Sequence, residues 1–236
     1  AMGFRHVQVV CQFERGKAAL RVVLDKANRM SGLWIESIKP QPDNKPPDYV
    51  DSKTFLEIKT TISAGRYELP ALLCLPTGKG RHPAAVLVHG SGPHDEDETI
   101  GANKPFRDLA WGLASKGIVV LRYEKRTHRY PTATAPDGWT LEMETMDDAL
   151  AAVSILRKRA EVDPNRVLII GHSQGAFCAP FIAHKDGKLG GIVMMAGNAR
   201  SILDLIVEQT EYLAGLDGSI NEQEAKQISE IKAAAE

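Results

Sequence analysis

The sequence predicts an α/β protein with a doubly wound, mostly parallel sheet preceded by a small β-meander. Three observations carry this. From residue 84 to 196 short, near-continuous apolar runs alternate with helix-length segments, as strands covered by helices on both faces require. Two further runs just before them are joined by Ala64-Gly65-Arg66 and read as an antiparallel hairpin. A proline-rich stretch sets all of this apart from about forty residues rich in β-branched side chains at the N-terminus.

The first segment divides into three strands. Val7 to Phe13 is apolar and β-branched, Ala18 to Leu24 follows a turn at Gly16, and Met30 to Ile38 follows Asp25-Lys26-Ala27-Asn28. A three-stranded meander is marginal alone, so residues 1–39 are expected to be the C-terminal part of a small β-rich domain. Residues 40–51 hold four prolines and few core-forming residues. Proline fixes φ and removes a donor, which predicts an extended, stiff linker.

The hairpin strands are Thr54 to Ser63 and Tyr67 to Leu75. The alternating part then runs strand Ala84–Val88, helix Lys104–Ser115, strand Gly117–Tyr123, helix Leu141–Ala160, strand Arg166–Gly171, helix Gly175–His184 and strand Leu189–Ala196. This βαβ succession predicts right-handed crossovers and a core domain over 52–200. Residues 201–236 read as two helices, Ile202–Leu213 and Asn221–Ala235, divided by Gly215-Leu216-Asp217-Gly218.

Composition narrows the function classes. With 236 residues, 43% hydrophobic and a formal net charge of −1, the chain can bury a sizeable core and has no concentrated basic patch. Neither a nucleic-acid nor a membrane partner is expected. No apolar run reaches the roughly 18 residues of a membrane span. No signal-peptide pattern opens the chain, and Ala1-Met2-Gly3 looks like a cloning remnant. That leans towards a cytoplasmic protein without deciding the compartment. The three cysteines, Cys11, Cys74 and Cys178, are far apart and flanked by apolar residues, so they read as buried or half-buried thiols rather than a disulfide or zinc framework.

Chemistry concentrates in two places. Gly171-His172-Ser173-Gln174-Gly175 follows the apolar strand Val167-Leu168-Ile169-Ile170 and opens a helix. A serine held in a tight strand-to-helix turn is presented at the carboxyl edge of the sheet, and small residues at 171 and 175 leave room for close packing. The helix N-terminus behind it favours developing negative charge. Ser173 is therefore the candidate nucleophile rather than an ordinary helix cap. The second place is His89-Gly90-Ser91-Gly92-Pro93, directly after Ala84–Val88. A backbone N–H there, from Ser91 first or Gly92 second, is expected to join the N–H of Gln174 as an oxyanion hole. His172 is expected to pack beneath the turn, and His89 and Gly90 to support the loop.

Hairpin, glycine-rich loop and serine turn in this order resemble the α/β-hydrolase superfamily. More narrowly, they resemble bacterial carboxylesterases of the dienelactone-hydrolase and prolyl-oligopeptidase-like group. The stretch Val88 to Arg126 resembles esterases with a small extra N-terminal domain, and the first forty residues resemble the end of that domain. The resemblance implies hydrolysis of a small carboxylic ester through an acyl-serine, with no metal or other cofactor. Residues 201–236 would then begin a cap insertion.

In that superfamily the triad runs serine, acid, histidine. After Ser173 the sequence holds one histidine, His184, eleven residues on and in the same helix. Eleven helical residues span roughly 16 Å, too far for the hydrogen bond a general base needs. Asp186, Asp204 and Asp217 are the downstream acids, and none follows a strand. The acid and base are thus expected beyond the chain, which reads as truncated at both ends. His94, in the glycine-rich loop, is a rival base. A non-catalytic binding module, and a thioesterase or peptidase of the same fold, are the alternative functions. The acidic run Asp95-Glu96-Asp97-Glu98 is expected to be a solvated loop rather than a metal site, with Arg122 and Arg126 as its partners. An incomplete sheet leaves an edge to cover, so either a second copy or the C-terminal remainder is expected to associate there.

Overall fold

The computed structural model describes residues 5–13, 16–40, 45–131 and 140–235. Residues 1–3, and positions 41–44 of the proline-rich stretch, lie outside the described residues. The meander forms as a three-stranded antiparallel sheet, β1 (Arg5–Phe13), β2 (Gly16–Leu24) and β3 (Met30–Pro40), in the order β1-β2-β3. Its β2–β3 turn is pinned by Asp25, whose carboxylate accepts from the amides of Ala27 (2.7 Å) and Arg29 (2.9 Å), while Asn28 takes φ 60°. Among its described residues only Ala18 and Val23 are buried, and Val10 and Ile35 stay more than 60% exposed.

The second sheet has six strands. They are β4 (Phe55–Ala64), β5 (Tyr67–Pro76), β6 (His82–Val88), β7 (Val119–Tyr123), β8 (Val162–His172) and β9 (Gly191–Met195). The order is β4-β5-β7-β6-β8-β9, with the hairpin antiparallel at one side and β7, β6, β8 and β9 mutually parallel. Its helices are α1 (Pro105–Ala114), a short α2 (Arg126–Arg129), α3 (Asp147–Arg157) and α4 (Gln174–Asp186). Beyond the sheet lie α5 (Ile202–Ala214) and α6 (Glu222–Ala235), which pack on each other.

Side-chain alternation explains why the strands read as unbroken apolar runs. Along β6, Ala84, Val86 and Val88 enter one core with Ala149, Ala152, Val153 and Leu156 of α3 and Cys178, Ala179 and Ile182 of α4. Ala85 and Leu87 enter the opposite core with Phe106, Ala110 and Ala114 of α1. Successive residues of a strand point to opposite faces, so a strand covered twice needs apolar residues at every position.

Two expectations are corrected. The segment 141–160 is not one α-helix: a π-helical turn, Glu142–Met146, precedes α3. Strand β8 starts at Val162, before the predicted Arg166, because His82 of β6 pairs with Val162 across a register shift. The later part of the predicted linker is held against α1. Val50 packs on the α1 core, the Asp51 amide donates to Ser115 Oγ (2.9 Å), and Tyr49 lies against Gly112, where a Cβ would come within 2.7 Å of its ring.

Candidate active site

Strand β8 ends at His172 and α4 begins at Gln174, leaving Ser173 alone in the turn at φ 50°, ψ −110°. A positive φ is costly for a residue with a Cβ, and such strain persists where surrounding contacts over-determine it. The contacts are on both sides. The Ser173 N–H donates to Met195 O of β9 (2.9 Å), and Ser173 O accepts the first helical bond from Phe177 N (2.9 Å). A Cβ on Gly175 would sit 2.2 Å from Val88 O and 2.6 Å from His89 O, and one on Gly171 would sit 2.3 Å from Gly175 O. The helix start is thus pressed directly onto the end of β6, and only glycine at 175 allows it. The turn lies at the carboxyl ends of the parallel strands, with Ser173 half-buried.

The loop after β6 abuts this turn. A Cβ on Gly90 would be 3.4 Å from Ser173 Cβ. The Gly90 amide donates to Glu98 Oε1 (2.8 Å), which also meets His172 Nδ1 (3.0 Å). Lys125 Nζ donates to Gly90 O (2.7 Å), pairs with Glu144 Oε1 (2.7 Å) and reaches Gln174 Oε1 (3.4 Å). Ser91 and Gly92 are exposed, and their amides meet no acceptor among the described residues. Gln174 opens α4, so its N–H has no partner within the helix. His172 does not pack beneath the turn as expected. It turns towards Glu98 and keeps about a third of its side chain exposed (36%), because Glu98 offers a buried carboxylate beside it.

The acidic run is not a solvated loop. Asp97 (5% exposed) and Glu98 (1%) are buried, with Glu98 at φ 52°. Asp97 binds Arg122 (2.9 Å) and Lys104 (2.7 Å), and Arg122 also binds Glu57 (2.7 Å). Burial works to raise the Asp95 pKa, yet hydrogen bonds from Thr99 and Asp97 outweigh it and hold the carboxyl below its usual range. The run fails as a solvated loop because each of these three acids has a donor waiting inside the fold. Arg122 is a partner as expected. Arg126 is not: it pairs with buried Asp148.

Among the described residues no imidazole hydrogen-bonds the Ser173 hydroxyl. His94 Nε2 meets Ser91 O (2.8 Å), and His94 stacks on His89 at 6.1 Å, so it is tied up inside its own loop. His184 is exposed near the far end of α4. Asp186 binds Arg157, Asp217 accepts from the Ser219 amide (3.0 Å), and Asp204 is exposed on the first turn of α5.

His89 supports the loop by donating from Nε2 to Asp95 O (3.0 Å), leaving Nδ1 buried without a partner. Burial, then the Lys125 and His94 charges, push its pKa down to about 3. The unfolded chain binds this proton below about 6.5 and the folded one does not. Stability is therefore lost as pH falls from about 6.5 towards 3, by up to ~1.4 kcal/mol per pH unit and on the order of 4 kcal/mol in all. Urea unfolding across pH 4–7 is expected to show this slope in the wild type. The difference curve against His89→Gln isolates it, and a parallel pair of curves would refute the assignment.

Four contributors were not visible in the sequence: Glu98, Lys125, Glu144 and the carbonyl of Met195. Charged residues in Asp-Glu-Asp-Glu and Tyr-Glu-Lys-Arg look solvated on paper, and only the tertiary fold shows them buried together.

Residues 85–225 match the alpha/beta hydrolase family. The chain belongs to the α/β-hydrolase family. Over 219 residues it is 42% identical to Esterase EstD of Thermotoga maritima, covering 93% of this chain and 51% of that protein. It thus spans about half the length of the curated relative it matches. The fold is shared with a dienelactone hydrolase from Anabaena variabilis (TM-score 0.51, 18% identity, 66% of this chain and 68% of that one). It is also shared with the dienelactone hydrolase-like promiscuous phosphotriesterase P91 from metagenomic libraries (TM-score 0.50, 17% identity, 77% and 78%). No helix among the described residues is long and apolar enough to cross a membrane.

Proposed function

We propose that this hydrolase chain carries the nucleophile and oxyanion hole of a serine carboxylesterase. The observation that carries the reading is Ser173, held at positive φ in the turn between a buried strand and a helix, against the loop at 90–92. The likeness to an esterase over nearly the whole chain supports the substrate class. Ser173 Oγ attacks the ester carbonyl. The N–H groups of Gln174 and Ser91, with Gly92 as second choice, receive the oxyanion; each such donor is worth about 3–4 kcal/mol of barrier. Gly90 is excluded as donor because Glu98 already takes its N–H. The alcohol leaves and water releases the acid from acyl-Ser173. No general base or acid partner for Ser173 is assigned among the described residues.

Fluorophosphonate labelling of the full-length polypeptide tests this. Labelling that is lost in Ser173→Ala is the expected result, and labelling that survives the substitution refutes it. One observation favours a second reading, a binding module without turnover: no imidazole among the described residues reaches the Ser173 hydroxyl. A full-length protein that leaves the reagent untouched selects that reading.

A further inference from the structure

Buried charges gather on the two peptide groups that flank Gly90 in the loop beside the nucleophile, and the reaction as described does not use them. Lys125 has 2% of its side chain exposed and Glu98 also 2%. Taking an ammonium and a carboxylate out of water costs several kcal/mol each unless their hydrogen bonds are filled. They are filled, and both converge on Gly90. Lys125 spends its three protons on Gly90 O, Glu144 Oε1 and Gln174 Oε1. Its backbone N–H also holds the loop, at His94 O (3.0 Å). Glu98 receives the Gly90 N–H on the oxygen that meets His172.

We propose that Lys125 and Glu98 are positioning residues that aim the Ser91 N–H at the reacting carbonyl by gripping Gly90 at both ends. The argument is one of peptide geometry. There are no cis peptide bonds among the described residues, and in a trans peptide the C=O and the following N–H point in opposite directions. Drawing Gly90 O onto Lys125 therefore turns the Ser91 N–H to the other side of the same plane. Fixing the Gly90 N–H on Glu98 holds the preceding peptide plane, so the two planes on either side of the Gly90 Cα are each anchored and rotation about its φ and ψ cannot swing the Ser91 N–H away. The contact from Lys125 to Gln174 couples this loop to the residue that supplies the second donor. Glu144 reaches the ammonium from a π-helical turn, a local widening that recurs at functional sites. Aiming of this kind acts on the transition state, since the oxyanion and not the ground-state oxygen occupies the hole.

The proposal rests on Ser173 being the nucleophile, and one experiment separates the two. Hydrolysis of p-nitrophenyl acetate and inhibition by an alkyl trifluoromethyl ketone, whose hemiketal oxygen mimics the oxyanion, are measured on the full-length protein. The variants are Ser173→Ala, Lys125→Met, Lys125→Arg, Glu98→Ala and Glu98→Gln. Lys125→Met and Glu98→Ala are expected to lower kcat by about tenfold to a hundredfold with KM nearly unchanged. The ketone Ki is expected to rise by the same factor. Lys125→Arg keeps the cationic donors and Glu98→Gln keeps the acceptor for Gly90, so both recover most of the loss. If Lys125→Met does not fold, the Glu98→Ala and Glu98→Gln pair decides alone. Activity retained in Ser173→Ala overturns the nucleophile reading. Activity lost in Ser173→Ala but within about twofold of wild type in folded Lys125→Met and Glu98→Ala overturns the positioning role alone. So does a loss confined to KM, or one that leaves the ketone Ki unmoved.

Discussion

Gly175→Ala is expected to destabilise the fold by about 3 kcal/mol or more and to remove Ser173 reactivity in whatever protein still folds. The new carbon would sit 2.2 Å from Val88 O and 2.6 Å from His89 O. Both neighbours are backbone, so no rotamer change relieves the clash. Relief requires α4 to lift from the end of β6, which moves the Ser173 turn and the Gly90 loop apart. The intrinsic preference of helices for Ala over Gly, about 1 kcal/mol, runs the other way and is outweighed. Urea unfolding and fluorophosphonate labelling check the two halves of the claim. A variant within about 0.5 kcal/mol of wild type would show that the close approach is not maintained in solution. Gly65 is the control: it has nothing within 4 Å of its added carbon, so Gly65→Asn, which tolerates its φ of 64°, is expected to be nearly neutral.

Arg126→Met is expected to cost about 3–5 kcal/mol at pH 8 and distinctly less near pH 5. Asp148 is fully buried, forked by Arg126 through two nitrogens, and the guanidinium also lies 4.3 Å from the centre of the Tyr67 ring. Even with that partner, burial pushes the Asp148 carboxyl up to about 6. Without it the charged form is worse still, so the folded-state pKa rises further above the unfolded value. A carboxyl whose folded pKa is raised holds its proton more tightly when folded. The penalty for stranding it therefore grows as pH climbs through that pKa and shrinks below it. Arg126→Met combined with Asp148→Leu replaces the pair by apolar groups and is expected to recover most of the loss. Chemical denaturation at pH 5 and pH 8 measures both; a loss independent of pH would assign the effect to the Tyr67 contact instead.

The parallel strands were legible because burial on both faces leaves no room for a polar residue. Ala84 to Val88 and Val167 to Ile170 declare themselves without any alignment. Ser173 was legible for a related reason: glycines at fixed offsets after such a strand leave few conformations for the residue between them. Loop chemistry was not. Asp97 and Glu98 sit in a run of four acids, which sequence patterning assigns to water. They are buried because Arg122 and the Gly90 amide, 25 and 8 residues away, meet them there. Nothing local distinguishes Glu96, which is half-buried, from Glu98, which is buried. The π-helical turn was missed for the same reason, since Glu144 serves a lysine nineteen positions earlier rather than its own helix.

The bond from the Ser173 amide to Met195 makes that serine a passenger of β9, the edge strand among the described residues. Strand β9 is five residues long, and Val193 and Met194 are each more than 40% exposed. Short edge elements with little apolar cover open most readily in the native state. Each opening of β9 releases the Ser173 N–H, so deuterium uptake at that one amide times the fraying of the strand. Anything that settles on the β9 edge would slow the uptake and, in the same motion, steady the hydroxyl.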